Sequence, residues 1–226
     1  MIKPDLYPDP TRNKKFFYWK PTYDFTVNYL NNNFQLKIGC EVGVAGGQNI
    51  KNILENCPQI IKMFGVDSYS DTSWDMLDIN LKREFKGING LFKEVKSMLS
   101  QFGDRAKLIR KLSKDACRDF ADESFDFVFI DASHEFEDCY NDIINWYPKV
   151  KKNGVIMGHD WYHPSHPGVT KSVMKIFMAE DIEYFKSPTH VWMVKKTIKN
   201  KSFFEKIKKK IVFYLNHPKL LLNFFK

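Results

Sequence analysis

Short apolar runs alternate with helical patterns along most of this chain, and several runs stop on a glycine or an aspartate. Leu36–Val42 ends at Gly43, Ile60–Val66 at Asp67 and Phe125–Ile130 at Asp131. Lys107–Arg110 is a weaker run, and Gly154–Gly158 is another. Apolar stretches this short, bounded by turn residues, read as strands buried on both faces. Helical patterns lie at 21–31, Gln48–Glu55, Glu135–Tyr147 and Val169–Ala179. Ile182–Phe185 and Val191–Lys195, separated by Ser187-Pro188-Thr189, resemble a closing antiparallel hairpin. Strands alternating with helices predict a doubly wound α/β fold: a mostly parallel, seven-stranded sheet with helices on both faces. Asp67–Gln101 is longer than a crossover needs and holds Trp74, Met76 and Phe85, so it reads as a substrate lid.

In such sheets ligands bind beyond the carboxyl ends of the strands. The residues to weigh are therefore those at the strand ends. In Cys40-Glu41-Val42-Gly43-Val44-Ala45-Gly46-Gly47 the glycines permit a tight turn and close approach of a ligand to the backbone. Gly43 and Gly47 are not spaced as G-x-G-x-x-G, and Glu41 at the strand end suits a cationic ligand better than a diphosphate. An ordinary strand–helix turn is the alternative reading of that segment alone. Asp67, ending the next strand, can accept both hydroxyls of a ribose.

Asp131 ends the Phe125–Ile130 run, with His134 close behind, and Gly158-His159-Asp160 ends the following strand. On neighbouring strands these groups converge. Two facing carboxylates repel unless a proton or a divalent metal joins them. Hard oxygen ligands favour Mg²⁺ or a similar divalent cation, which lowers the pKa of a hydroxyl brought to it. His134 has the near-neutral pKa of a general base. Its alternative is to cap the helix that follows. His159 is read as supporting or structural, and His163 and His166 as loop residues.

Glu41-x-Gly43-x-x-x-Gly47, Gly65-Val66-Asp67, Ser113-x-Asp115 and Phe125–Asp131 together resemble the successive motifs of class I S-adenosylmethionine-dependent methyltransferases. The run Ile130–Glu137, then Trp146-Tyr147-Pro148-Lys149, Gly154, Gly158-His159-Asp160 and Pro167-Gly168-Val169, resembles a subgroup of small-molecule and sugar O-methyltransferases. That subgroup includes metal-dependent macrolide-sugar enzymes. The resemblance spans about residues 36–195. It implies a Rossmann-like fold, with S-adenosylmethionine as cofactor. It places Glu41, Gly43 and Gly47 at the methionine and ribose end, Asp67 on the ribose, Ser113 and nearby backbone beside the adenine, and Asp131 next to the reacting centre. Asp131 and Asp160 would be metal ligands and His134 the base. The chain departs from the pattern in two places: Ala45 replaces a common glycine, and His159 stands where metal-dependent relatives often carry a second carboxylate.

The implied reaction is methyl transfer to a hydroxyl of a small molecule, a sugar or glycoconjugate. Metal-independent transfer to oxygen or nitrogen is one alternative, and a non-catalytic nucleotide-cofactor-binding module another. Asp131, His134 and Asp160 together argue against the binding module, which has no use for them.

Charge divides the chain. Lys195–Lys226 holds ten Lys and one Glu, whereas the remainder holds twenty-five basic and twenty-six acidic side chains. The body is near neutral, which speaks against a nucleic-acid partner. Three segments follow: an arm and helix at 1–34, a methyltransferase domain at 35–196 and a basic tail at 197–226. Phe203, Ile207, Ile211 and Leu215 recur at helical spacing among the tail lysines. That stripe fits peripheral contact with an anionic membrane, or packing on its own domain or on a second subunit in a homo-oligomer. Scattered cysteines, a polar N-terminus and the lack of a long apolar run lead to the expectation of a cytoplasmic protein.

Overall fold

The computed structural model describes residues 20–71, 87–178, 181–185 and 189–197. The N-terminal aromatics, the Trp74, Met76 and Phe85 portion of the expected lid, and the tail from residue 198 lie outside the described residues.

The elements are α1 (Lys20–Asn31), β1 (Ile38–Val42), α2 (Gln48–Asn56), β2 (Lys62–Asp67), α3 (Ile88–Ser100), β3 (Ala106–Arg110), α4 (Ser113–Ala116), β4 (Phe125–Ile130), α5 (Phe136–Trp146), β5 (Val150–Gly158), α6 (Pro167–Ile176), β6 (Ile182–Phe185) and β7 (Val191–Lys195). The seven strands form one sheet in the order β3-β2-β1-β4-β5-β7-β6. The first five in that row are parallel, and β7 runs antiparallel to both β5 and β6. The strand order reverses between β1 and β4, which opens a crevice at their carboxyl ends.

Side chains alternate across the pleat and so feed two cores. Val128 and Ile130 pack with Ile143 and Trp146 of α5 and Val173 of α6. Phe127 and Phe129 face the other way, onto Ile50 and Ile53 of α2 and Leu91 and Val95 of α3. Truncating a fully buried side chain such as Phe129 to alanine would cost about 3–5 kcal/mol.

Part of the expected lid is instead a packed helix. Ile88, Leu91, Val95 and Leu99 recur at helical spacing and are buried in α3. That spacing was readable, but the length of the whole crossover obscured it. The N-terminal helix α1 packs beside α2 and is tied at both ends. Thr22 Oγ1 donates to the Thr189 carbonyl (2.9 Å), and Gln59 Nε2 donates to the Leu30 carbonyl (3.0 Å).

Candidate active site

The sheet's hydrogen-bond ladder continues one residue past the strands. Gly43 N donates to Val66 O (2.9 Å), Asp131 N to Val42 O (2.8 Å) and His159 N to Ile130 O (3.1 Å). These three bonds set Gly43, Asp131 and His159 in a row along the carboxyl edge. Gly43 has φ +89°, and a Cβ there would lie 2.0 Å from the Asp131 carbonyl oxygen. Only glycine lets the β1 turn and the β4 turn approach this closely.

On the β1–β2 side, Asp67 laces the glycine turn to β2. Its Oδ2 accepts from Val44 N and Ala45 N (both 3.0 Å), and its Oδ1 accepts from Tyr69 N (2.8 Å). A carboxylate offers about four lone-pair sites, so capacity remains for a hydroxyl. The Tyr69 hydroxyl donates to Ala45 O (3.0 Å) and pins the same turn. Ala45 adopts φ +45°, a left-handed conformation that explains the glycine common at this position.

Glu41 is buried in β1. Asn49 Nδ2 donates to its Oε1 (3.1 Å), while Oε2 has no hydrogen-bond partner among the described residues. Burial pushes the carboxyl well above its ordinary range, although the Asn49 bond opposes this. A buried carboxylate oxygen left open is costly, and a donor hydroxyl or ammonium from a ligand would satisfy it.

At the ends of β4 and β5 the acidic and imidazole groups meet. His134 Nε2 lies 2.9 Å from Asp160 Oδ2. His159 Nδ1 lies 3.3 Å from that same oxygen and 3.8 Å from Asp131 Oδ1. Burial drives the Asp160 carboxyl up, but the bonds to His134 and His159 outweigh it and hold the group well below the usual carboxylate range. Asp131 moves the other way: burial raises it, and Asp160 adds to the rise. Both imidazoles are pushed down by burial yet end up raised by their contacts with Asp160.

Asp160 itself has φ +60°. A non-glycine residue held there costs about 1–3 kcal/mol, a strain that clusters at functional positions. Its loop is clamped to β7 by Trp161 N donating to His190 O (2.9 Å) and by His190 Nδ1 against Trp161 O (3.0 Å). A small cleft lined by Asp131, Ser133, His134, His159, Asp160 and Trp192 opens between them.

His134 does not cap α5. No side chain caps α5 at its N-cap residue Glu135; Ser133 Oγ instead accepts from Glu135 N (3.3 Å) and donates to Asp138 Oδ2 (2.8 Å), bracing the turn that leads into the helix. Ser113 also has a different setting from the one sequence implied. Its hydroxyl donates to Asp142 and accepts from Trp146 Nε1 (2.8 Å), both on α5.

Sequence reading gave three histidines lesser roles than their positions warrant and overlooked Tyr23. His159 is buried beside both aspartates. His166 stacks on His134 with ring centroids 3.9 Å apart, and His163 stacks on His166 at 4.6 Å. Tyr23 in the first turn of α1 reaches the same edge. Burial pushes its phenol well above the ordinary range, and the charges of Asp131 and Glu41 push it further. The loop histidines were at least visible as a cluster around Pro164, whereas nothing in the sequence near Tyr23 links it to β1 or β4.

The fold and the edge geometry define a methyltransferase-type scaffold, with a crevice where the strand order reverses between β1 and β4 and an acid–imidazole cluster at β4–β5. A family model described as a methyltransferase domain matches residues 40–161, and the chain belongs to that family. An uncharacterized protein of Sinorhizobium fredii is 30% identical over 70 residues, which are 31% of this chain and 8% of that protein's length. The chain thus spans under a tenth of this curated relative.

Among solved structures, CalS11, a TDP-rhamnose 3'-O-methyltransferase of calicheamicin biosynthesis, aligns with a TM-score of 0.60 at 12% identity, covering 85% of this chain and 88% of its own. An O-methyltransferase of Bacillus cereus in complex with SAH aligns at 0.55 and 14%, covering 85% and 84%. The O-methyltransferase NovP aligns at 0.56 and 17%, covering 77% and 78%. At these identities the likeness is one of fold.

Proposed function

We propose that the chain methylates a hydroxyl of a small molecule, a sugar or glycoconjugate. The observation that carries this reading is the His134–Asp160 pair, 2.9 Å apart at the sheet edge beside the cofactor crevice. Asp160 accepts the Nε2 proton of His134 and so fixes the tautomer. The Nδ1 lone pair is then available to take the proton of an acceptor hydroxyl. Asp160, held ionised, stabilises the imidazolium that results.

Glu41, Gly43, Gly47 and Asp67 line the cofactor side. The open Glu41 Oε2 and the remaining capacity of Asp67 fit a ligand that brings hydroxyls and an ammonium. Gly43 keeps the backbone low enough for close approach. S-adenosylmethionine, when bound, supplies a methyl group already activated by its sulfonium. The protein's task is therefore in-line positioning and removal of the hydroxyl proton.

Asp131 and Asp160 are proposed to share a divalent cation. Asp160 Oδ1 is buried and has no hydrogen-bond partner among the described residues, which fits a cation site. Such an ion would lower the pKa of an acceptor hydroxyl. The sugar acceptor draws support from the likeness in fold to CalS11, a TDP-rhamnose 3'-O-methyltransferase.

A second reading is metal-independent transfer, favoured by the same His134–Asp160 contact, which orients the base without any ion. Mass spectrometry of SAH formation against a panel of sugar acceptors tests the reaction. Turnover on hydroxyl acceptors that is lost with chelator and restored by Mg²⁺ or Mn²⁺ is expected. Chelator-resistant turnover selects the second reading, and methylation confined to amines overturns the hydroxyl acceptor.

A further inference from the structure

The proposed cation site contains a nitrogen donor that the pair of aspartates leaves out. Asp131, His159 and Asp160 each present one ligand atom, and these atoms lie within 4.8 Å of one another. We propose that these three residues form a mixed carboxylate–imidazole centre that takes a first-row transition ion, such as Co²⁺, Mn²⁺ or Zn²⁺, in preference to Mg²⁺. This deepens the cation reading above, adding a third ligand and naming the ion class.

Four observations carry it. First, the backbone places the donors: Asp131 N and His159 N are each bonded to the neighbouring strand, at 2.8 Å and 3.1 Å, so neither residue can drift from the other. Second, His159 Nδ1 is aimed at both carboxylates, 3.3 Å from Asp160 Oδ2 and 3.8 Å from Asp131 Oδ1. These separations suit ligand atoms that surround one ion at about 2.0–2.2 Å each. Third, Asp160 Oδ1 is buried without a hydrogen-bond partner among the described residues, on a side chain 2% exposed. Fourth, the Asp131 side chain is 29% exposed while His159 is 3% exposed, so the centre is closed on the protein side and open toward the cleft. Three protein ligands with one open side is the arrangement of a catalytic rather than a structural metal site.

The donor chemistry then selects the ion. Two carboxylates and one neutral imidazole balance a divalent charge. Imidazole suits Zn²⁺, Co²⁺, Fe²⁺ and Ni²⁺, whereas Mg²⁺ demands oxygen ligands in a near-ideal octahedron and dehydrates reluctantly. A second group, His134, Asp160 and His166, also lies within 4.8 Å. It is the weaker candidate. Its two rings lie against each other, centroids 3.9 Å apart and planes 32° from parallel. It also brings a single carboxylate.

The test uses the full chain, stripped with chelator and dialysed. Titration with Co²⁺ followed by visible absorption, and calorimetry with Mn²⁺, Zn²⁺ and Mg²⁺, measure binding without any turnover. Wild type is expected to bind Co²⁺ or Zn²⁺ at least about 100-fold more tightly than Mg²⁺, the direction set by nitrogen donors and the Irving–Williams order. His159→Ala is expected to weaken Co²⁺ binding by about tenfold or more and to change its spectrum. His159→Asp, an all-oxygen centre, is expected to narrow the Co²⁺/Mg²⁺ ratio. Thermal melting and SAH binding confirm that both variants are folded. Equal or tighter Mg²⁺ binding by wild type, or Co²⁺ binding indifferent to both substitutions, overturns the centre. A wild type that binds SAH but no metal overturns it while leaving the methyltransferase reading intact. Metal binding without SAH binding would strike the cofactor crevice instead.

Discussion

His134 Nε2 and Asp160 Oδ2 lie 2.9 Å apart across the gap between the ends of β4 and β5. One residue follows a strand by a few positions, and the other follows the next strand almost at once. Their meeting depends on β4 and β5 being parallel neighbours with Ile130 opposite Gly158. Gly168 helps to hold the His134 loop there, since a Cβ on it would lie 2.3 Å from the His134 carbonyl oxygen.

If His134 is the base, His134→Ala should lower kcat by about 10²–10⁴. SAH affinity should be unchanged, because His134 stands on the β4–β5 side of the crevice. Steady-state kinetics and calorimetry on the one preparation check this. An alanine variant that turns over normally at neutral pH would remove His134 from the mechanism.

Asp67→Ala should weaken SAH binding by about 10- to 100-fold, the range expected for loss of a charged hydrogen-bond acceptor. The same change releases Val44 N and Ala45 N from Oδ2, so the glycine turn should loosen as well. Calorimetry measures the first effect and hydrogen exchange at residues 43–47 the second. Unaltered affinity would rule Asp67 out as a cofactor contact.

Gly43→Ala should destabilise the fold by at least about 2 kcal/mol, through positive φ and steric overlap together. The overlap is with the Asp131 carbonyl, so the β1 and β4 ends must separate. Thermal melting and SAH titration should both report loss. A variant that melts like wild type and keeps its affinity would contradict the close approach.

Asp142 supplies a pH test remote from the reacting centre. Burial raises its carboxyl to about 6, with the Ser113 hydroxyl opposing. The unfolded value is about 3.9, so the folded state holds the proton more tightly. Stability is then greatest below about pH 4 and falls as pH rises through about 6, by at most about 3 kcal/mol. Asp142→Asn removes that slope. Its melting temperature should exceed wild type at about pH 7.5 and match it near pH 4. A constant difference across that range would refute the raised carboxyl.

The basic tail, outside the described residues, is proposed to contact anionic membranes. Each lysine near such a surface contributes roughly 1 kcal/mol. Flotation should carry the full chain with anionic but not neutral liposomes, and a chain truncated before Lys199 should stay behind. Equal partitioning of the two would dismiss the tether. No helix among the described residues is long and apolar enough to cross a membrane.

Much of this protein was determined locally, and that part was legible in the sequence. Phe125–Ile130 is a strand because five apolar, β-prone residues out of six have no other economical burial, and Asp131 ends it whatever the rest of the chain does. Gly43 and Asp67 were legible for the same reason, because a strand end is marked by the residues that stand there. Helix α3 was hidden inside a long crossover although its spacing is regular. What only the tertiary structure decided is which way each polar side chain turns. Ser133 braced the turn before α5, and His134 turned to Asp160. Ser113 turned to Asp142 and Trp146, and Tyr23 arrived from a helix far away in sequence. The physical reason is that a polar side chain settles on the partner that best offsets its burial. In a parallel sheet that partner sits on a neighbouring strand or a returning helix, brought there by crossovers that no local pattern records.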